Sequence, residues 1–289
     1  MQLLRFVLTL AALRTVGAKP ELEDHQKWLD CVASPASCTT LFLINACSGG
    51  TIPNSIGRLT ALTSLYLASN GLTGTIPEHA ISLLTALNHL QLQNNDLEGT
   101  IPANAIGELT KLEYLSLSGN DISGTIPGDA FRRLTALTEL SLGGNAFSGT
   151  IPLVSFIESA ATFKYLDLVW NSFDGTIDAI GSLKALEYLN VYGNDIGGTI
   201  PAVIGDLTAL TYLSLGDNQF MGTIPSSIGD LTALAQLYLN SNQLSGTIPA
   251  DAIRRLTALK SLWLYKNQLD GHQDPEGRAK NSPARAKWF

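Results

Sequence analysis

The sequence predicts an α/β repeat solenoid with a parallel β-sheet on its concave face and short helical turns outside. Three observations carry that prediction. First, Leu62-x-x-Leu65-x-Leu67-x-x-Asn70-x-Leu72-x-Gly74-Thr75-Ile76-Pro77 returns from Leu87, Leu112, Leu137, Phe163, Leu186, Leu210, Leu234 and Leu259, at a spacing of 23 to 26 residues. A partial copy, Leu41-Phe42-Leu43 through Gly50-Thr51-Ile52-Pro53, precedes it. A fixed period in this range is the mark of stacked supersecondary units. Second, Leu65-x-Leu67 alternates with period two, the pattern of a short strand with one buried face. Third, the partial copy and every full copy but the last end in Gly-Thr-Ile, and eight of these nine continue into Pro.

Each element follows from the register. Stacked copies pair their strands in parallel, about 4.8 Å apart. The recurring Asn at 70, 95, 120, 145, 171, 194, 218, 242 and 267 stands where the chain leaves the strand. An amide there satisfies backbone groups that otherwise lack partners. Gly permits a tight backbone, and Pro suits the bend that follows. Segments such as Ile56-Gly57-Arg58-Leu59 and Ile204-Gly205-Asp206-Leu207 supply one helical turn on the outer side. In one copy Leu153 to Phe163 replaces this helical turn, and Asp178 stands in place of Pro. No repeat buries its leucines alone, so stability comes from neighbour contacts.

Composition narrows the function classes. With 45% hydrophobic and 15% charged residues, the chain buries a large core and is not a disordered polymer. A net charge of −7 argues against nucleic acid, which calls for a basic surface. Residues 1–18 read as an export signal: a basic start at Arg5, an apolar run from Phe6 to Leu13, and a small-residue site at Val16-Gly17-Ala18. The expected location is therefore secreted, extracellular. No later run approaches the roughly 18 apolar residues of a membrane span. Three cysteines, Cys31, Cys38 and Cys47, lie before or within the first repeat, and export makes a disulfide compatible with them. They lack the paired spacing of a zinc site.

The pattern LxxLxLxxNxLxGTIPxxIGxLTxL resembles the plant-type leucine-rich repeat from about Leu41 to Gly271. That class is found in receptor-kinase ectodomains and in secreted inhibitors of cell-wall polygalacturonases. The resemblance implies a leucine-rich-repeat horseshoe and a role in recognition. Trp28-Leu29-Asp30-Cys31 and Cys38 are similar to the family's N-terminal cap, which implies a Cys31–Cys38 disulfide and leaves Cys47 as a free thiol, or as a replacement for one of the two partners. The cap's tryptophan-glycine-valine run between the cysteines is missing. The organisation expected is a signal at 1–18, a cap at 19–40, a solenoid at 41–271 of about ten repeats with the first partial, and a flexible tail at 272–289. The tail carries neither a cysteine cap nor a kinase, so either it folds over the last repeat or the chain is cut short. No Asn-x-Ser/Thr acceptor occurs, unusual for an exported ectodomain of this family.

With the Leu, Asn, Gly, Ile and Pro positions committed to core and turns, function is left to the variable ones. These are the second, third, fifth, seventh and eighth places of each repeat, facing the concave sheet. All eight tyrosines fall in the third, fifth and seventh places. Rigid aromatics with Ser, Gly and Asn between them are the composition of adaptable binding surfaces. Strand propensity and cross-strand stacking offer a second reason for tyrosine there. The candidate ligand-binding patch is Tyr165, Asp167, Trp170, Tyr188, Tyr192, Tyr212, Tyr238 and Trp263.

The Thr of Gly-Thr-Ile supplies an alternative: Thr51, Thr75, Thr100, Thr125, Thr150, Thr176, Thr199, Thr223 and Thr247 recur in nine of the ten copies, with a second row at Thr60, Thr85, Thr110, Thr135, Thr208, Thr232 and Thr257. Regular hydroxyls at strand spacing suit an ordered lattice such as ice or crystalline polysaccharide. Strand propensity and repeat duplication produce the same rows. Signals for catalysis are missing: His25, His79, His89 and His272 sit in no triad or metal-ligand spacing. No catalytic residue, metal or cofactor is assigned. The expected function is non-catalytic recognition of a protein or peptide, with components of the cell wall or cell surface among the partners.

Overall fold

The structure is a computed structural model that describes residues 19–270. The export signal at 1–18 and the tail at 272–289 lie outside the described residues. Ten short strands form one continuous parallel sheet: β1 (Thr40–Phe42), β2 (Ser64–Tyr66), β3 (His89–Gln91), β4 (Tyr114–Ser116), β5 (Glu139–Ser141), β6 (Tyr165–Asp167), β7 (Tyr188–Asn190), β8 (Tyr212–Ser214), β9 (Gln236–Tyr238) and β10 (Ser261–Trp263). They pair in sequence order, with equivalent repeat positions opposite each other, as in Tyr165↔Tyr188 and Tyr188↔Tyr212. The predicted solenoid and its sheet are therefore present.

Alternation explains the sheet. The middle residue of each strand points inward, and Leu65, Leu90, Leu115, Leu140, Leu166, Leu189, Leu213 and Leu237 are all fully buried. With the leucines before and after them they form one core running the length of the stack. At its N-terminal end Leu22 and Trp28, the latter on helix α1 (Gln26–Ala33), close the first repeat. Cys31 is bonded to Cys38, and Cys47 is a buried free thiol.

The Asn ladder does more than satisfy its own turn. Asn95 Nδ2 donates to Leu92 O in its own repeat and to Leu67 O in the repeat before, while its Oδ1 accepts from Asn70 N and Leu72 N. Each such amide thus bonds two repeats together, and Asn120, Asn194, Asn218 and Asn267 repeat the bridge to the carbonyl of the preceding repeat.

Two features were not foreseen. The chain forms a second set of parallel strands as it descends from the concave face: a five-stranded sheet running from Thr73–Thr75 to Ser172–Asp174, then a three-stranded one from Met221–Gly222 to Gln268–Asp270. The segment from Leu153 also keeps its helical turn, correcting the expectation that the turn is replaced. Leu153–Ser159 is a 3-10 helix. Its Phe156 is buried, stacks on Phe163 at 5.2 Å and meets Phe131 edge-on at 5.9 Å. The irregularity is a larger aromatic plug in the same place.

Candidate ligand-binding face

The side chains flanking each inward leucine point out of the sheet. In-register pairing stacks like positions at the strand spacing, so neighbouring rings touch. Tyr165, Tyr188 and Tyr212 form a near-parallel ladder with centroids 4.3 Å apart at each step. It continues through Tyr238 at 5.6 Å to Trp263 at 4.6 Å, and Trp263 meets Tyr265 at 5.9 Å. In the other direction Phe42, Tyr66, His89 and Tyr114 contact in succession at 5.5, 6.4 and 6.1 Å. The aromatic track therefore spans nine of the ten strands and is broken only at Glu139 on β5. It runs along the fifth repeat position in β1 and β2, shifts to the third from β3 to β8, and returns to the fifth in β9 and β10.

Where the rings occupy the third position, the fifth is small or polar: Gln91, Ser116, Ser141, Asp167, Asn190 and Ser214. A trough results, with rings on one side and seventh-position side chains on the other. Its best-formed part is a concavity of about 300 Å³. Tyr192, Tyr212, Tyr238 and Trp263 wall it, and Asn190 and Ser214 line its floor. Gly216 helps to shape this space. A Cβ there would lie 2.9 Å from Tyr192 Cδ2 and 2.8 Å from Asn240 Oδ1, the seventh-position neighbours on either side. The missing side chain lets the Tyr192 ring lie across β8. Asn240 is fully buried, and its Oδ1 has no hydrogen-bond partner.

Asp167 sits beside this concavity. Its Oδ1 accepts from Val169 N at 3.2 Å, and Tyr165 and Asn190 side chains also favour its charged form. Burial outweighs them and raises its pKa. No Lys, Arg or His forms an ion pair with it among the described residues. Burial likewise pushes the Tyr165 hydroxyl up to about 12, with Asp167 adding to the rise, and raises Tyr188 further for the same two reasons.

Trp170 occupies the eighth position, which is left-handed in every repeat. Gly119, Gly144, Gly193 and the Asn, Asp, Ser and Lys residues elsewhere in that row have φ of 51 to 70°. Trp170 adopts φ 53°, costly for a bulky side chain, and yet is 57% exposed. Its indole lies across Gly193 and meets Tyr192 edge-on at 5.1 Å.

All eight residues singled out from the sequence thus lie on this face. Seven join in aromatic contacts and Asp167 stands among them. The patch drawn from the sequence left out Phe42, Tyr66, His89, Tyr114 and Tyr265, which extend the track; the signal was their place in the third, fifth and seventh columns. The threonines of Gly-Thr-Ile are also all exposed, on the descending side. Their methyls have a packing role: Thr75 Cγ2 lies 3.0 Å from the Cβ position of Gly99, and Thr100 Cγ2 3.1 Å from that of Gly124. Of the nine hydroxyls only that of Thr176 finds a protein partner among the described residues, Asp178 Oδ2 at 2.8 Å. Among these residues no group of three or more His, Cys, Asp or Glu is disposed to hold a metal. No helix among them is long and apolar enough to cross a membrane.

Comparison with known families and structures agrees with this architecture. Residues 144–274 match the leucine-rich repeat region family, and residues 99–147 and 61–83 match two further leucine-rich repeat families. No characterised protein sequence matches the chain. Among solved structures, the Arabidopsis receptor kinase HAESA, in complex with the peptide hormone IDA and the co-receptor SERK1, is similar over 87% of this chain and 40% of its own, with 30% identity and a TM-score of 0.75. A TDR receptor is similar over 86% of this chain and 53% of its own, at 26% identity and a TM-score of 0.68. A plant ice-binding protein is similar over 85% of this chain and 76% of its own, at 27% identity and a TM-score of 0.66. The chain therefore spans about half or less of the two receptor chains. The three family matches, the ten-stranded parallel sheet and the plant neighbours together identify the chain as a member of the leucine-rich-repeat family, of the plant type.

Proposed function

We propose that this chain is a non-catalytic extracellular recognition module that takes a protein or peptide ligand on its concave face. The observation that carries the reading is the aromatic track from Phe42 to Trp263, held rigid by in-register strands. Rings already stacked lose little freedom when a ligand arrives, so their contact area converts efficiently into affinity. The strained, exposed Trp170 points the same way. Similarity to a receptor ectodomain whose structure holds a peptide hormone supports a peptide as ligand. A cell-wall or cell-surface component is the expected source.

The test is selection of peptides from an unbiased display library on the full chain, followed by measurement on Tyr212→Ala and Trp170→Gly. Each substitution is expected to weaken a selected peptide by about 1–2 kcal/mol or more. Peptides that bind both variants unchanged place recognition elsewhere.

A second reading rests on the exposed threonines and on the likeness to a plant ice-binding protein: their hydroxyls recognise an ordered lattice. Thr125→Val, Thr150→Val and Thr199→Val keep the methyls that pack on the next repeat and remove only the hydroxyls. Thermal hysteresis in the native chain, lost in the triple variant, supports this reading; a native chain without hysteresis or ice shaping rejects the ice form of it.

A further inference from the structure

The strand positions that carry the aromatic track are chemically one-sided, while Lys164, Lys260 and Lys266 stand at the flanking second and eighth places. The third, fifth and seventh positions of all ten strands contain no Lys or Arg, yet they include Glu139 and Asp167. Aromatic faces carry the negative part of the ring quadrupole, so the track adds to the same sign. The ion pairs Arg133–Glu108, Lys164–Glu187, Arg254–Asp251 and Arg255–Asp230 lie off these positions. One cation does meet the track: Lys27 Nζ, on α1, sits 5.7 Å over the Phe42 ring. The molecule thus places its own ammonium group on one end of the aromatic row.

At the other end the concavity of about 300 Å³ has four aromatic walls, Tyr192, Tyr212, Tyr238 and Trp263. Asp167 adjoins it through two lining residues, accepting from Val169 N and pairing across the strands with Asn190. A cation here is surrounded by aromatic rings, and the Asp167 carboxylate, which has no ion pair among the described residues, lies one strand beyond the Asn190 lining. That combination favours a positive group over a neutral or negative one.

We infer that the concave ligand is anchored by a basic side chain, arginine or lysine, held among Tyr192, Tyr212, Tyr238 and Trp263 with Asp167 as its counter-charge. This rests on the proposed peptide or protein recognition by the concave face. The planar guanidinium stacks on rings and meets a carboxylate at the same time, so arginine is the better fit of the two.

Three capped tripeptides, Gly-Arg-Gly, Gly-citrulline-Gly and Gly-Glu-Gly, test the inference by NMR titration of the full chain. Citrulline keeps the size and planarity of arginine and removes the charge. The arginine peptide is expected to shift the ring signals of Tyr192, Tyr212, Tyr238 and Trp263 saturably and to bind about tenfold tighter than the citrulline peptide. Asp167→Asn is expected to erase that preference. Equal binding of arginine and citrulline peptides, or a preference that survives Asp167→Asn, overturns the cationic anchor and leaves concave recognition standing. If no peptide moves the concave rings, the anchor is overturned, and concave recognition is then judged by the display selection alone.

Discussion

The concave face and the descending strip come from the same repeat but treat sequence in opposite ways. On the descending side Gly-Thr-Ile recurs in nine of the ten copies. There, each threonine methyl from Thr51 to Thr223 packs against the glycine of the next repeat, and those glycines have φ between 73 and 83°. On the concave face the third position alone holds Ser, His, Tyr, Glu and Gln, with their outer parts in solvent. Repetition marks residues that hold one repeat to the next. Variation on a backbone that does not vary marks positions released from that task. The comparison predicts that the descending strip responds to substitution in stability and the concave face in binding.

The largest expected effect lies one residue from the patch. Leu189, between Tyr188 and Asn190 on β7, is buried among the stacked leucines. Leu189→Ala is expected to destabilise by about 2–5 kcal/mol through lost burial and the cavity left behind, read as a fall in the urea midpoint. Next is Gly124→Ala on the descending strip. It forces a side chain into φ 83°, with its Cβ 3.1 Å from Thr100 Cγ2, and is expected to cost about 1–3 kcal/mol. Affinity of the folded protein for a concave ligand should not move. A binding defect in Gly124→Ala, with the fold intact, breaks the division between the two faces.

Tyr188→Ala tests the same division from the other side, and the structure changes its expected size. Tyr188 is not a free-standing surface residue: it stacks at 4.3 Å on Tyr165 and on Tyr212. Losing two ring contacts is expected to cost about 1–2 kcal/mol of stability, more than an ordinary exposed substitution. Thermal melts of Tyr188→Ala and Tyr188→Phe separate ring stacking, kept in the second, from the hydroxyl.

This shows where sequence reading reaches its limit. The strand columns were legible because period two and a fixed repeat length place side chains without knowledge of the neighbours. Tyr165, Tyr188 and Tyr212 could be put in one column from the register alone. Their contact distances depend on side-chain rotamers and were not available from spacing. The bridging role of Asn95 was half legible: a turn amide was expected, but its bond to Leu67 O belongs to another repeat. The descending sheet was missed because Gly interrupts the alternation, as in Asp96-Leu97-Glu98-Gly99-Thr100. The concavity at Tyr192 was missed because the absence of a side chain at Gly216 helps to make it.

Trp170 gives a smaller effect of opposite sign. Its backbone lies in a region that glycine occupies without strain, as Gly144 and Gly193 do on either side. Trp170→Gly is therefore expected to leave stability unchanged or raise it by about 0.5–1 kcal/mol, while weakening ligand binding. A loss of stability above that range would mean that the indole's contacts over Gly193 and Tyr192 are structural, and would take Trp170 out of the recognition face.

The smallest and most selective effect is at Asp167. Burial raises its pKa in the folded chain above the unfolded value, and no cation among the described residues pairs with it. For a carboxylate shifted in this direction the folded state holds the proton more tightly than the unfolded one. The penalty is therefore present in full above the folded pKa and is relieved as pH falls through it toward the unfolded value. Asp167→Asn removes the charge while keeping the shape, so it is expected to raise the melting temperature at neutral pH. The difference from the native chain should shrink as pH is lowered through the carboxylate range, because the native Asp167 is then protonated too. A cationic ligand should act in the same direction as the substitution, by supplying the missing counter-charge. Melting temperatures of both chains across that pH range read the effect directly. If Asp167→Asn lowers the melting temperature at neutral pH, the hydrogen bonds from Val169, Tyr165 and Asn190 outweigh burial, and the carboxylate is a structural acceptor of this face.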